Sequence, residues 1–164
     1  MFKPTGKSSG VMRSIPCGLP TVASPIALSL QLREITAMIE QAIKTALERL
    51  SGMSVYPLLL PDSEQNGVTF QRISDPEIET GMVRTGLIAG RFQISMYKVN
   101  DYTGLVQMDK AVWAEWKKIT HGTLEGYPVQ YVQRGNILQD KTTLTSNQVQ
   151  YRLIRDYVLY FYEE

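Results

Sequence analysis

The stretch Arg91-Phe-Gln-Ile-Ser-Met-Tyr-Lys-Val99, followed without a break by Asn-Asp-Tyr-Thr-Gly-Leu-Val-Gln-Met-Asp-Lys-Ala-Val-Trp-Ala-Glu-Trp-Lys-Lys-Ile119, decides the fold. Its first part alternates Phe92, Ile94 and Met96 with Arg91, Gln93 and Ser95, which predicts a strand with one buried and one polar face. The period then changes. Leu105, Met108, Val112, Trp116 and Ile119 make one helical stripe with Trp113 at its edge. Asn100 or Asp101 is placed to cap that helix, and Gly122 to end it.

Upstream, Leu32, Ile35, Ile39, Ala42, Ile43, Ala46, Leu47 and Leu50 recur at helical spacing between Ser29 and Ser51, and Gly52 supplies the left-handed position that closes a helix. Val55 to Pro61 reads as a short strand or extended edge, because each proline removes a ladder donor. Asn66-Gly67 marks a turn, Val68 to Ile73 reads as a strand, and Asp75-Pro76 stops it. Residues 75–90, with three glycines at uneven spacing, are expected to be a long flexible excursion. Downstream come two strands, Tyr127 to Leu138 and Val149 to Tyr162, with a polar loop from Gln139 to Gln148. On the last strand Val149, Tyr151, Leu153, Tyr157, Leu159 and Phe161 share a face.

The order α-β-β-β-α-β-β predicts an α+β fold: a mainly antiparallel four- to five-stranded sheet with two helices packed on one face. At 164 residues the chain has room for one core, assigned to residues 26–164. Residues 1–25 hold four prolines and three glycines without apolar periodicity, so they read as an extended arm. Fixing such a segment costs roughly 1–2 kcal/mol per residue, which packing against a neighbouring subunit, or against the arm's own domain, must offset.

Composition and motifs exclude several function classes. Seventeen Lys and Arg face sixteen Asp and Glu, and no basic run exceeds Lys117-Lys118, so a duplex-binding footprint is not expected. One cysteine, Cys17, makes no internal disulfide, and no apolar run approaches bilayer length, which together suggest a soluble, intracellular protein. His121 and Cys17 cannot assemble a zinc or iron site, and His121 is expected to lie at a helix C-terminus. Gly6-Lys7-Ser8 lacks the earlier glycine of a phosphate-binding loop. The acid pairs Asp62 with Glu64, Glu77 with Glu79 and Glu163 with Glu164 lie in predicted loops or at the terminus, where solvated charge is the ordinary role. No cofactor or metal is expected. Tyr151, Tyr157, Tyr160 and Tyr162 can serve a core, a subunit interface or base stacking.

Taken together, Tyr56-Pro-Leu-Leu-Leu-Pro61, Val68-Thr-Phe-Gln-Arg-Ile-Ser74, Arg91-Phe-Gln-Ile-Ser-Met-Tyr97 and the closing Arg152 to Tyr162 strand resemble the tail-terminator (tail-completion) proteins of long-tailed bacteriophages, over roughly residues 30–164. The resemblance implies a non-enzymatic virion protein that forms a hexameric ring on the tail tube, stops tube growth and joins the tail to the head. Its implied partners are further copies of itself, the tail-tube protein, head-closure or neck proteins and passing genomic DNA. Its implied location is the host cytoplasm during assembly and then the neck of the virion. The glycine-bearing segment 75–90 is the candidate ring-forming or lumen-facing element, with Arg84 and Arg91 as candidate DNA-facing residues. A small RNA- or ligand-binding α+β module is the alternative. Deletion of residues 1–25 is expected to weaken self-assembly while leaving the domain folded, as read by size-exclusion chromatography beside circular dichroism.

Overall fold

The computed structural model describes residues 38–162, so the arm at 1–25 and the first part of the predicted helix at 29–51 lie outside the described residues. Among the described residues the architecture is α+β with two helices and a curled, mixed sheet of seven strands. Helix α1 is Ile39–Ser51 and α2 is Tyr102–Trp116. The strands are β1 Val55–Pro57, β2 Gly67–Ser74, β3 Glu77–Thr80, β4 Val83–Val99, β5 Thr120–Leu124, β6 Tyr127–Thr143 and β7 Val149–Tyr162. They lie in the order β1-β2-β4-β7-β6-β5, with β3 pairing beside β4.

The alternation read at Arg91–Val99 holds. Phe92, Ile94 and Met96 are fully buried, and antiparallel pairing sets them beside Tyr157, Arg155 and Leu153 of β7. Both helices press onto this face. Ile43, Ala46 and Leu47 of α1 and Leu105, Val112 and Trp116 of α2 share one apolar cluster with it. The Trp116 and Tyr157 rings meet edge to face at 4.8 Å between centroids. Gly52 closes α1 at φ 65, donating to Glu48 O at 3.0 Å, and Asp101 caps α2 by accepting from Gly104 N at 2.8 Å.

Four expectations change. Residues 75–90 are not an excursion: β3 and the first turn of β4 form a hairpin whose two-residue loop, Gly81-Met82, has positive φ at Gly81 only, as a type II′ turn requires. Gly86, at φ 65, sits in the irregularity that follows, where Glu77 Oε1 accepts from its N–H at 2.9 Å. These glycines serve particular backbone positions, not flexibility.

Secondly, the sheet has seven strands, not four or five, and β1 runs parallel to β2. Asn66-Gly67 therefore closes no hairpin; Asn66 Oδ1 accepts from Val99 N at 2.8 Å.

Thirdly, α2 ends at Trp116, not Gly122, because Lys118 N and Ile119 N donate to carbonyls three residues back and wind the helix down. His121 then falls on β5 at φ 48, with Nδ1 2.7 Å from Gln130 Oε1, and not at a helix terminus.

Fourthly, β6 continues to Thr143, shrinking the polar loop to the turn before Val149, since Asp140 and Thr142 stay paired with Arg152 and Gln150.

Phe92→Ala is expected to cost about 3–5 kcal/mol in urea unfolding, as for a buried aromatic cut to a methyl group. Met82→Ala, at an exposed turn, should stay within about 0.5 kcal/mol of the wild type in the same assay.

Candidate functional site

Three places concentrate chemistry: a buried ion trio beneath α2, the sheet face turned away from the helices, and the margins of the sheet. The trio centres on Asp109, which is 3% exposed despite its charge. Arg155 grips its carboxylate from two nitrogens, Nε at 3.0 Å and Nη2 at 2.8 Å, while Arg134 Nη2 donates at 2.7 Å. The Arg134 guanidinium also lies 5.6 Å from the Trp113 ring centroid. Burial, and next the charge of Asp109, push the Tyr157 phenol well above the usual tyrosine range.

Sequence reading passed over this trio. Its signal was an aspartate inside the apolar stripe of α2 and an arginine inside the apolar row of β7. A buried charge of that kind needs a partner, and the partners are each other. With both guanidinium groups held on one carboxylate, the cluster ties α2 to β6 and β7, and the Arg134 side chain stays partly exposed at its margin.

The open face presents Gln71, Arg91, Gln93, Tyr97, Arg152, Ile154 and Tyr160, with Thr69 and Asp156 buried on the same side, set in rows by the β2–β4 and β4–β7 registers. Asp156 is 5% exposed even here, because β6 bulges over it between Arg134 and Ile137. Gly135 lies so close that a Cβ on it would stand 3.0 Å from Asp156 Cβ. Arg91 pairs with Asp156, Gln93 Nε2 donates to it at 3.2 Å, and Gln71 Nε2 donates to Gln93 at 3.0 Å. Arg152 pairs with Asp140, whose hydrogen bond raises the already high pKa of the guanidinium. Tyr131 and Tyr160 lie 6.0 Å apart on this face. Aromatic and basic groups are thus both present, but carboxylates neutralise the two arginines.

The predicted site residues separate. Arg91 lies in the middle of the open face, tied to Asp156. Arg84 is exposed on the β3–β4 hairpin, opposite Glu79, with no ion-pair partner among the described residues. Seven residues of strand put the two Cα atoms roughly 23 Å apart. Beside Arg84 the hairpin exposes Met82 fully and Val83 at 69%.

The sheet margins are unfinished. β5 pairs β6 only as far as Tyr131, so the outer edge of β6 from Val132 to Thr143 has no strand beside it among the described residues, and Ile137 and Leu138 on it are exposed. The outer edge of β3 also has no strand beside it among the described residues, and a shallow groove near the opposite end of β4 is walled by Leu59, Leu60, Asp62, Glu64 and Tyr97.

Among the described residues, no group of three or more His, Cys, Asp or Glu side chains could hold a metal ion, and no helix is long and apolar enough to cross a membrane. No family model matches the chain, and no curated protein does. One solved structure aligns over 78% of this chain and 100% of its own at 15% identity, with a TM-score of 0.36, a likeness too slight to carry an argument.

Asp109→Asn is expected to destabilise the domain by about 3–5 kcal/mol in urea unfolding, since it strands the two guanidinium groups. Replacing Asp109, Arg134 and Arg155 together by leucine or methionine should cost far less, because the apolar trio leaves no unpaired charge.

Proposed function

We propose that this chain is a non-enzymatic assembly protein of the phage tail-terminator kind. It forms a hexameric ring on the end of a tail tube, halts tube growth and offers the joint to the head. The observation that carries this reading is the projecting β3–β4 hairpin, which leaves the sheet body with Met82 and Val83 exposed at its tip. Apolar groups exposed together at the tip of a hairpin are suited to a contact. That contact sits far from the groove of Leu59 and Leu60, so the two sticky regions of one molecule differ, as a head-to-tail ring needs.

In this reading the sheet is mainly antiparallel with its helices on one side, which leaves the margins free for neighbours. The partners are further copies of the chain, the tail-tube protein, head-closure or neck proteins, and genomic DNA held without sequence preference. Work is done in the host cytoplasm and ends at the neck of the virion. Arg84 faces the passing DNA. Arg91 has a weaker claim to that role, because Asp156 already engages it.

A small RNA- or ligand-binding module is the second reading, favoured by Tyr131 and Tyr160 near Arg91 on the open face, and by Tyr97 beside Arg152 farther along it. The carboxylates on both arginines weigh against it, since a phosphate would have to displace them.

Adding the purified chain to polymerising tail-tube protein is expected to stop elongation at tube ends seen by electron microscopy; unhindered growth would overturn the reading. Arg84→Glu should lower head joining or DNA delivery, and unchanged tail length, joining and delivery would remove Arg84 from the lumen.

A further inference from the structure

The ring reading leaves open which surface receives the hairpin, and the unpaired strand edges answer it. A bare strand edge carries a row of unsatisfied N–H and C=O groups, and proteins ordinarily blunt it with proline, charge or cover. The β6 edge from Val132 to Thr143 has no proline, and its bulge ends by Ile137. Its charges are mostly spent: Arg134 is held by Asp109, and Asp140 by Arg152. Lys141 is left exposed with no ion pair among the described residues, three and four positions along the strand from exposed Leu138 and Ile137.

The β3 edge is the counterpart. Glu77 is occupied by the Gly86 N–H, whereas Glu79 is exposed and makes no ion pair among the described residues, although Arg84 lies opposite it. Exposed Val83 and Met82 accompany it. One edge thus offers a free cation and two apolar side chains, the other a free carboxylate and two apolar side chains.

We infer that the β3 edge of one copy adds as a strand to the β6 edge, Ile137 to Thr143, of the next copy, with Glu79 meeting Lys141 and the hairpin tip covering Ile137 and Leu138. The inference rests on the ring reading and supplies its subunit contact. Main-chain hydrogen bonds across the joint provide the affinity, as in other strand additions, and the charge pair selects the partner edge. The contact joins two different surfaces, so it propagates head to tail and closes only if the rotation per copy allows.

The test uses the full chain and four proteins: wild type, Lys141→Glu, Glu79→Lys and the double exchange, each followed by sedimentation velocity over a concentration series. Both sites are exposed, and circular dichroism checks that each variant folds. Each single reversal is expected to raise the concentration for half-assembly by at least about tenfold, as like charges then face one another, and the double exchange to restore it. In a Cys17→Ser background, Glu79→Cys mixed with Lys141→Cys should give a mixed disulfide dimer that neither protein gives alone. If the wild type assembles but the single reversals assemble equally well and the mixture forms no cross-link, this contact is wrong and the ring is built elsewhere. If the wild type stays monomeric throughout the series, the contact and the ring reading both fail.

Discussion

The pairing of β4 with β7 governs everything else in the molecule. It runs unbroken from Leu87 opposite Tyr162 to Val99 opposite Gln150, in the middle of the sheet. Because strand side chains alternate, this single register places Phe92 beside Tyr157 and Met96 beside Leu153 under the helices, and sends Gln93 and Asp156 to the other face. A slip by one residue would expose the core and bury the Gln93–Asp156–Arg91 network. Asn100 fixes the end of the register, accepting from Val149 N at 3.1 Å through its side chain and donating from its own N–H to Val149 O at 2.8 Å.

The ion trio adds a second restraint on the same frame. Asp109 enters from α2, Arg155 from β7 and Arg134 from β6, so the helix can seat in one position only if all three charges are to be met. Apolar packing alone would tolerate small shifts of α2 along the sheet; a two-nitrogen grip on a buried carboxylate does not. The trio thus fixes where α2 seats on β6 and β7.

Much of this frame was legible in the chain itself. The alternation at Phe92, Ile94 and Met96, the stripe on α2, the Asp101 cap and the Gly52 stop are local patterns, and each holds in the fold. What escaped was non-local or apolar-poor. β3 and the far half of β6 carry few apolar residues, so periodicity is silent there, and only partner strands make them strands. The Asp109 trio escaped because its members are separated in sequence, so the partners that let a charge stand in an apolar row meet only once helix and strands are assembled. Of the candidate site residues, Arg84 lies on the β3–β4 hairpin and not on a flexible excursion, and the engagement of Arg91 by Asp156 depends on a register that no short stretch reveals.

In the proposed reading, unlike contact surfaces at separate places on one subunit join copies head to tail, and the ring closes where the rotation per copy allows. Size-exclusion chromatography with light scattering across a wide range of concentrations tests that claim most directly. A discrete particle of six copies that persists on dilution until it falls directly to monomer is the expected result. A strict monomer at every concentration would contradict it.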